Sequence, residues 1–458
     1  MAYRQETLRR VCHRHRWRGR YATHLSTSAT RWNSVKEAGA DRDTAGTGGQ
    51  RLVVGSVLAA TFVVNMGVQY LSPVLPALAR GLHLSAVQLG AVVSAYSFAA
   101  LALTLPAGYL ADRVGVRRVL AGALILFGVG GLAVGLSPSF PVLLASRIVQ
   151  GFGVAAVIPV TIAALADLAP GGRLARLQGY RVSVSSTAEF VLPVMGGFLV
   201  GGGGAWRIAF IPFVVPVVLG IVVWRVFPEP VRPPRPITER HRPSYAGQLR
   251  KSFRDGRLVA LFGAGLVRWW IKYALFTYLP LYLSEDLHAQ GQVIGLVIGV
   301  QGLLSGIVAS QAGRLGTQRA GRRSLAVALL VMGAALASET VVHALWWPIL
   351  MCCIVGLADG VVGPLLNTFV SLLPARDVRT AIIAMAGTLR NVGKAAAPVA
   401  VGALVVTLGY GPALALAGSL GLAAPLYLCK LLVDRPSDPV SIADVGRSDV
   451  EGTGPAVT

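Results

Sequence analysis

Apolar stretches of about 20 residues recur along the whole chain, and they constrain its fold more than any other feature. An α-helix needs about 20 apolar residues to cross a bilayer, whereas the buried strands of soluble proteins run for only about 4 to 8 residues. Only 14% of the 458 residues are charged, and the mean hydropathy is +0.63. The chain is therefore predicted to be an integral membrane protein.

These stretches predict an all-α membrane protein with twelve transmembrane helices in two six-helix bundles. Gly and Pro are allowed within the stretches because membrane helices tolerate them. We assign residues 51–227 to the first bundle and residues 258–434 to the second, with a Pro- and Arg-rich cytoplasmic linker over residues 228–257. Residues 1–50 and 435–458 are predicted to be disordered tails.

The N-terminal tail, residues 1–50, is rich in Arg, Ser, Thr and Gly and has no apolar core, so it does not resemble a signal peptide. Its composition faintly resembles an organellar transit peptide. A disordered cytoplasmic tail, or a start codon placed too far upstream, explains it better.

The net charge of +22 comes from short basic clusters between the apolar stretches, without the aromatic-basic interleaving of nucleic-acid-binding proteins. Because the clusters occupy alternate loops, the positive-inside rule places the linker and both termini in the cytoplasm. We expect a plasma-membrane (inner-membrane) protein that contacts lipid, binds no nucleic acid and acts as a monomer. The four cysteines form no ligand set, so neither a metal nor another cofactor is predicted.

The loop after the second stretch is similar to the loop signature of the major facilitator superfamily (MFS), through Gly108, Asp112, Arg113, Gly115 and Arg117. Glycines there permit close helix approach and a tight reversal, although the basic residues alone are also typical of any cytoplasmic loop. The resemblance implies that this loop gates the cytoplasmic entrance. A weaker copy, Gly313–Arg323, lacks the acid and occupies the equivalent place in the second half.

The fourth stretch resembles a second signature of the family, with Arg147 followed by Gln150, Gly151 and Gly153. A guanidinium is costly in hydrocarbon and is expected to face the bundle interior. The resemblance implies that Arg147 belongs to the coupling or substrate machinery. The alternative is an arginine that extends to the membrane interface from a helix end.

The fifth stretch partly matches the signature of proton-driven efflux antiporters, through Gly179, Ala188, Pro193, Gly196 and Gly197. The match departs from the signature at two positions, because Leu192, before the proline, and Ala188 each replace an expected glycine. A kinked membrane helix without a coupling role is the alternative.

Four ionisable residues are predicted to lie near the middle of their spans, where transporter sites are found: Glu189, Arg268, Asp359 and Arg390. Lys272 and Lys394 lie one turn further on. The pairs Arg268/Lys272 and Arg390/Lys394 have i,i+4 spacing, which predicts two cationic strips facing an anionic substrate in a central cavity. The alternative is that Arg268 or Lys272 pairs with Asp359.

Glu189 is the first candidate for the coupling proton, because an apolar site favours the protonated form of a carboxyl group. A pair with Arg147 is the alternative, and Asp359 is the second candidate. Asn65, Gln69 and Tyr96 are candidates for hydrogen bonds either to the substrate or to neighbouring helices. The tryptophans, Trp269 among them, are interpreted as packing or interfacial residues.

The predicted function is secondary active transport of a small organic solute by alternating access, with proton-coupled efflux of a drug or metabolite as the first hypothesis. Proton-coupled transport of an organic anion is the alternative. No Walker motif and no facing catalytic set occurs in the spans, so an ATPase is excluded and an enzyme or a non-transporting sensor is disfavoured.

Overall fold

The computed structural model describes residues 51–168, 172–201, 206–227, 256–312, 319–372 and 379–432. These residues are helical apart from short connections, and none of them forms a strand. The helices are α1 (Arg51–Leu82), α2 (Ala86–Val114), α3 (Val116–Leu136), α4 (Phe140–Leu168), α5 (Gly172–Gly201), α6 (Trp206–Val226), α7 (Gly256–Glu285), α8 (Gly291–Gln311), α9 (Arg319–Ser338), α10 (Trp346–Leu372), α11 (Arg379–Leu408) and α12 (Tyr410–Leu432).

Eleven of the described helices are long and apolar enough to cross a membrane, and in α12 the apolar stretch is the shorter Tyr410–Ala423. Each predicted span coincides with one helix, which confirms the all-α membrane fold. The tails, residues 228–255 of the linker and residues 313–318 of the weaker loop copy lie outside the described residues.

Breaks in helical hydrogen bonding are concentrated in a subset of the helices. The first helix, α1, contains two 3-10 turns, Asn65–Gly67 and Ser72–Val74. Single prolines, which remove a backbone donor, lie inside α2, α4, α5, α7, α10 and α11. Each of these helices contributes to the central cavity described below, whereas α6, which begins with the 3-10 segment Trp206–Phe213 and contains Pro212, does not.

Helices α1–α6 and α7–α12 form two sets that meet mainly along α5–α8 and α2–α11. The α5–α8 contact is made by backbone, since a Cβ atom added to Gly295 would lie 3.0 Å from the Cα of Gly197. At the end of the bundle remote from the basic loops, Ser72 donates a hydrogen bond to the carbonyl of Phe276 (2.6 Å) and Arg80 donates one to Ser284 (2.8 Å). The two sets therefore touch at that end.

Candidate functional site

A cavity of about 660 Å³ lies between the two sets, on the side of the basic loops. It is lined by the broken or proline-containing helices α1, α2, α4, α5, α7, α10 and α11. Its polar and aromatic lining includes Asn65, Gln69, Tyr96, Arg181, Glu189, Arg268, Trp269, Tyr273, Phe276, Asn367, Arg390 and Lys394. Seven of the sequence-predicted site residues thus come together around one space.

Asp359, in the middle of α10, is the centre of a buried ion network. Its Oδ1 atom accepts a hydrogen bond from Nε of Arg268 at 2.6 Å, and its Oδ2 atom accepts one from Nζ of Lys272 at 2.9 Å. Ser305 of α8 donates a third bond to Oδ2 at 2.9 Å. A carboxylate that is only 1% exposed needs such partners, because an unpaired charge is costly away from water.

Lys272 extends this network to the other helix set. Its Nζ atom lies 3.5 Å from Oε2 of Glu189, and Glu189 belongs to α5. The Lys272 side chain is 1% exposed, whereas that of Glu189 is 22% exposed and lines the cavity. A basic residue of one set is therefore held between a buried acid of its own set and a cavity-facing acid of the other.

These positions correct two expectations. Lys272 does not line the cavity, because Asp359 and Glu189 enclose its ammonium group, as the ion-pair alternative expected. Glu189 does not lie in an apolar site, and its charged partner is Lys272 rather than Arg147. The helix spacing that suggested a cationic strip did not show which helix would meet each side chain.

Arg147 of α4 is enclosed by neutral partners. Its guanidinium donates to the carbonyls of Gly67 (3.0 Å) and Val92 (3.2 Å) and to the side chain of Gln150, and it lies 4.5 Å from the ring centroid of Tyr96. The residue is 1% exposed and does not line the cavity, so the interfacial alternative is wrong. Arg147 ties α1, α2 and α4 together.

Arg390 and Lys394, one turn apart on α11, both line the cavity. The Lys394 ammonium lies 4.0 Å from the ring centroid of Trp269, and Arg390 donates a hydrogen bond to Asn367 at 3.3 Å. Within the part of the chain that the structure describes, neither has a carboxylate at salt-bridge distance. The second predicted strip thus lines the cavity without a salt bridge to any described residue.

The polar candidates of the first set also reach the cavity. Asn65 donates to the carbonyl of Thr61 at 2.8 Å and approaches Ser185 of α5 at 3.4 Å. Gln69 is buried, and its Oε1 atom has no hydrogen-bond partner among the described residues. Tyr96 lies between Arg147 and the cavity, so it contacts both regions.

The predicted gating loop joins α2 to α3. Gly115 has φ +100°, a backbone conformation that favours glycine, and Arg117 lies 5.2 Å from the ring centroid of Trp224. Arg113 is exposed. Gly108 falls inside α2, while the side chain of Asp112 lies outside what the structure describes, so the gating role of this loop stays a prediction.

Sequence reasoning missed three side chains. Trp269 was interpreted as packing, yet it lines the cavity beneath Lys394. Arg181 lines the cavity and Ser305 binds Asp359. The position of Trp269 between Arg268 and Lys272 gave no signal, because Trp270 shares that position. Nothing in the local sequence marks Ser305, because serine is common in membrane helices.

Two helix sets around a polar cavity have the architecture of a secondary transporter. A sequence profile described as Major Facilitator Superfamily matches residues 57–398. The chain belongs to that superfamily, as its motifs predicted, and is thus a transporter rather than an enzyme.

Among its relatives, the quinolone resistance protein NorA of Staphylococcus aureus is 29% identical over 138 residues, which are 30% of this chain and 36% of that protein. Multidrug resistance protein 2 of Bacillus subtilis is 29% identical over 154 residues, which are 34% of this chain and 38% of that protein. The match thus spans little more than a third of the length of these curated relatives.

Among solved structures, the chain is similar to a bacterial homologue of the human lysosomal transporter Spinster in an inward-facing and unoccupied conformation. The TM-score is 0.67 at 15% sequence identity, and the likeness covers 84% of this chain and 95% of that one. At this identity the likeness shows the shared fold.

Proposed function

We propose that the protein is a proton-coupled secondary transporter that exports small aromatic or amphiphilic compounds. The observation that carries the proposed coupling is the ion pair between Glu189 and Lys272, because it joins α5 of the first set to α7 of the second beside the cavity. Alternating access requires the two sets to move against each other, so a protonatable link between them is placed where a proton controls that motion.

The proposed coupling assigns different roles to the two acids. A proton that enters the cavity neutralises the partly exposed Glu189 and removes its attraction for Lys272. Lys272 then stays ion-paired with Asp359 of its own helix set, at 2.9 Å, and the ion pair that links the two sets is lost. Glu189 is thus the proton acceptor, and the buried Asp359 is the lasting counter-ion of Arg268 and Lys272.

Two observations support export of drug-like compounds. The relatives that match in sequence are named for quinolone resistance and multidrug resistance. The cavity is lined by the aromatic side chains of Trp269, Tyr273, Phe276 and Tyr96, which suit flat apolar groups.

A second candidate function is proton-coupled transport of an organic anion. Among the described residues that line the cavity, four are cationic (Arg181, Arg268, Arg390 and Lys394) and only Glu189 is acidic. The Arg268 charge is balanced by Asp359, but those of Arg390 and Lys394 face the cavity. An anionic group on the substrate would balance them.

The proposal also covers cellular context. The basic loops and the bacterial relatives favour a plasma-membrane location with both termini in the cytoplasm. The cavity then opens toward the cytoplasm, the side from which an exporter takes its substrate. Its partners are lipid, protons and a small molecule, and the protein is proposed to act as a monomer that binds no nucleic acid.

The test is proton movement in proteoliposomes of the purified protein under an imposed pH gradient, with lipophilic cations and organic anions added in separate experiments. Glu189→Gln removes the proposed proton acceptor. Glu285→Gln is the matched control, because it makes the same chemical change at an exposed site near the end of α7.

We expect substrate addition to release protons across the membrane with the wild type and with Glu285→Gln, but not with Glu189→Gln. Substrate exchange without net proton flux should survive in Glu189→Gln. Unchanged proton flux in Glu189→Gln contradicts the assignment of the proton acceptor. A response to anions driven in the uptake direction favours the second candidate over export.

A further inference from the structure

A second, smaller cavity of about 200 Å³ opens between α7, α10 and α11. Its wall is mainly apolar, through Leu261, Phe262, Leu366, Val370 and Ile383. It shares Asn367 and Arg390 with the main cavity. The two spaces are therefore adjacent, and a cation stands where they meet.

The junction has two of the features that recognise an anion. Arg390 is oriented by its hydrogen bond to Asn367, which leaves guanidinium donors for a ligand. Lys394 is one turn along the same face of α11, and its ammonium rests on the Trp269 ring at 4.0 Å. In the described chain the contacts of both cations are with neutral groups, so a carboxylate is the partner that they lack.

We propose that the substrate is an amphiphilic organic anion whose carboxylate binds between Arg390 and Lys394 and whose apolar tail occupies the side cavity. The remainder of the molecule lies in the main cavity against Trp269. This assignment rests on the proposed transport function and names the chemistry of its substrate.

The size of the side cavity sets a limit on the tail. At about 30 Å³ for each water-sized group, its volume holds about six or seven methylene groups. Burial of one methylene strengthens binding about fourfold, so affinity should climb with tail length and then level off. A tail longer than the cavity gains nothing further.

The experiment measures binding of straight-chain carboxylates of increasing length to the full-length protein in lipid nanodiscs by titration calorimetry. The primary amides of the same lengths correct for partition into lipid. Gly265→Leu fills the side cavity, because Gly265 lines it and the atoms nearest to a Cβ atom added there belong to the Arg390 and Leu366 side chains, at 3.4 to 4.0 Å. Gly263→Leu is the control, since a Cβ atom at that exposed position meets nothing within 4 Å.

For the wild type and Gly263→Leu we expect affinity to rise about fourfold per methylene up to about seven carbons. Gly265→Leu should weaken the long carboxylates at least tenfold more than the shortest one, and Arg390→Gln should reduce carboxylates to the level of their amides. If Gly265→Leu does not accumulate in the membrane, Ala386→Leu fills the same space from α11.

Equal chain-length dependence in the filled and wild-type cavities would overturn the assignment of the tail, and amides that bind as tightly as carboxylates would overturn that of the anion. Binding at equilibrium does not depend on proton coupling. Retained binding without proton-coupled flux therefore contradicts only the proposed function, whereas coupled transport with a flat chain-length series contradicts only this inference.

Discussion

Arg147 in the first helix set and Lys272 in the second are both enclosed cations, but their partners differ. Arg147 is surrounded by carbonyls, an amide and an aromatic ring, whereas Lys272 lies between the carboxylates of Asp359 and Glu189. An arginine with neutral partners keeps its charge under all physiological conditions. Carboxylates exchange protons, so only the Lys272 region can change its internal charge pairing in response to a proton. The first region is suited to holding helices together, and the second to coupling.

The largest effect is expected from removal of the central acid. Asp359→Asn leaves Arg268 and Lys272 without their main counter-ion, which should lower the free energy of unfolding by about 3–5 kcal/mol and abolish transport. Denaturant unfolding of the purified protein in detergent micelles measures the loss. The double variant Asp359→Asn with Lys272→Met should be more stable than Asp359→Asn alone. A single variant as stable as the wild type would show that the network does not stabilise the fold.

A smaller loss is expected at the neutral-partner site. Arg147→Met removes the donors to the carbonyls of Gly67 and Val92, but the Val92 carbonyl keeps its backbone partner within α2, so the free energy of unfolding should fall by about 1–3 kcal/mol in all. Transport should weaken at every pH, and its pH profile should keep its shape. A shifted profile in this variant would break the distinction between the two regions, because it would give Arg147 a part in proton coupling.

Glu189→Gln should change stability by less than about 1 kcal/mol, because the side chain is partly exposed and Lys272 keeps Asp359. Its effect should lie in function: uptake into proteoliposomes should lose the pH dependence that the wild type shows, while equilibrium substrate binding persists. The comparison is sharpened if Asp359→Asn lowers stability and Glu189→Gln removes only coupling. A large loss of stability in Glu189→Gln would instead make this acid a structural partner.

Glu339, in the connection after α9, is a buried acid without the partners that Asp359 and Glu189 have. Its carboxyl oxygens have no hydrogen-bond partner among the described residues. Burial raises the pKa of this carboxyl group well above its ordinary value of 4.5. The folded state then holds a proton that the unfolded state releases, so stability should fall as the pH rises above that ordinary value toward the raised pKa.

Glu339→Gln should abolish this decline. Near pH 5, where the wild-type carboxyl is neutral, it should change stability less than any of the three variants above. Melting temperatures of both proteins between pH 5 and 9 provide the measurement. Parallel curves for the two proteins would mean that Glu339 finds a partner and belongs with the paired acids.

The fold could be predicted because the main evidence for it, the length and apolar character of each helix, is contained in short stretches of sequence. A helix that crosses a membrane must be long and apolar, so the segments from Arg51–Leu82 to Tyr410–Leu432 are visible one at a time. The motif around Arg147 likewise identified a buried arginine. The same reasoning placed Glu189, Arg390 and Lys394 near the membrane centre, and each of them lines the cavity.

The partners of these side chains were not predictable from spacing. The i,i+4 relation of Arg268 and Lys272 shows that they share a face of α7, but not that Asp359 of α10 and Glu189 of α5 meet that face. Trp269 was misinterpreted for the same reason. A tryptophan has the same local pattern whether it faces lipid or a cavity.

The sequence by itself determined the class of protein and the number of helices, because the length and polarity that a segment needs to cross a bilayer do not depend on the other segments. The tertiary structure decided which charges are paired with one another and which line the cavity without a carboxylate partner among the described residues. That choice depends on distances of a few ångströms between helices far apart in the chain, as with Lys272 at 2.9 Å from Asp359 and Lys394 above the ring of Trp269. Such distances follow from how the helices pack, and no single helix contains them.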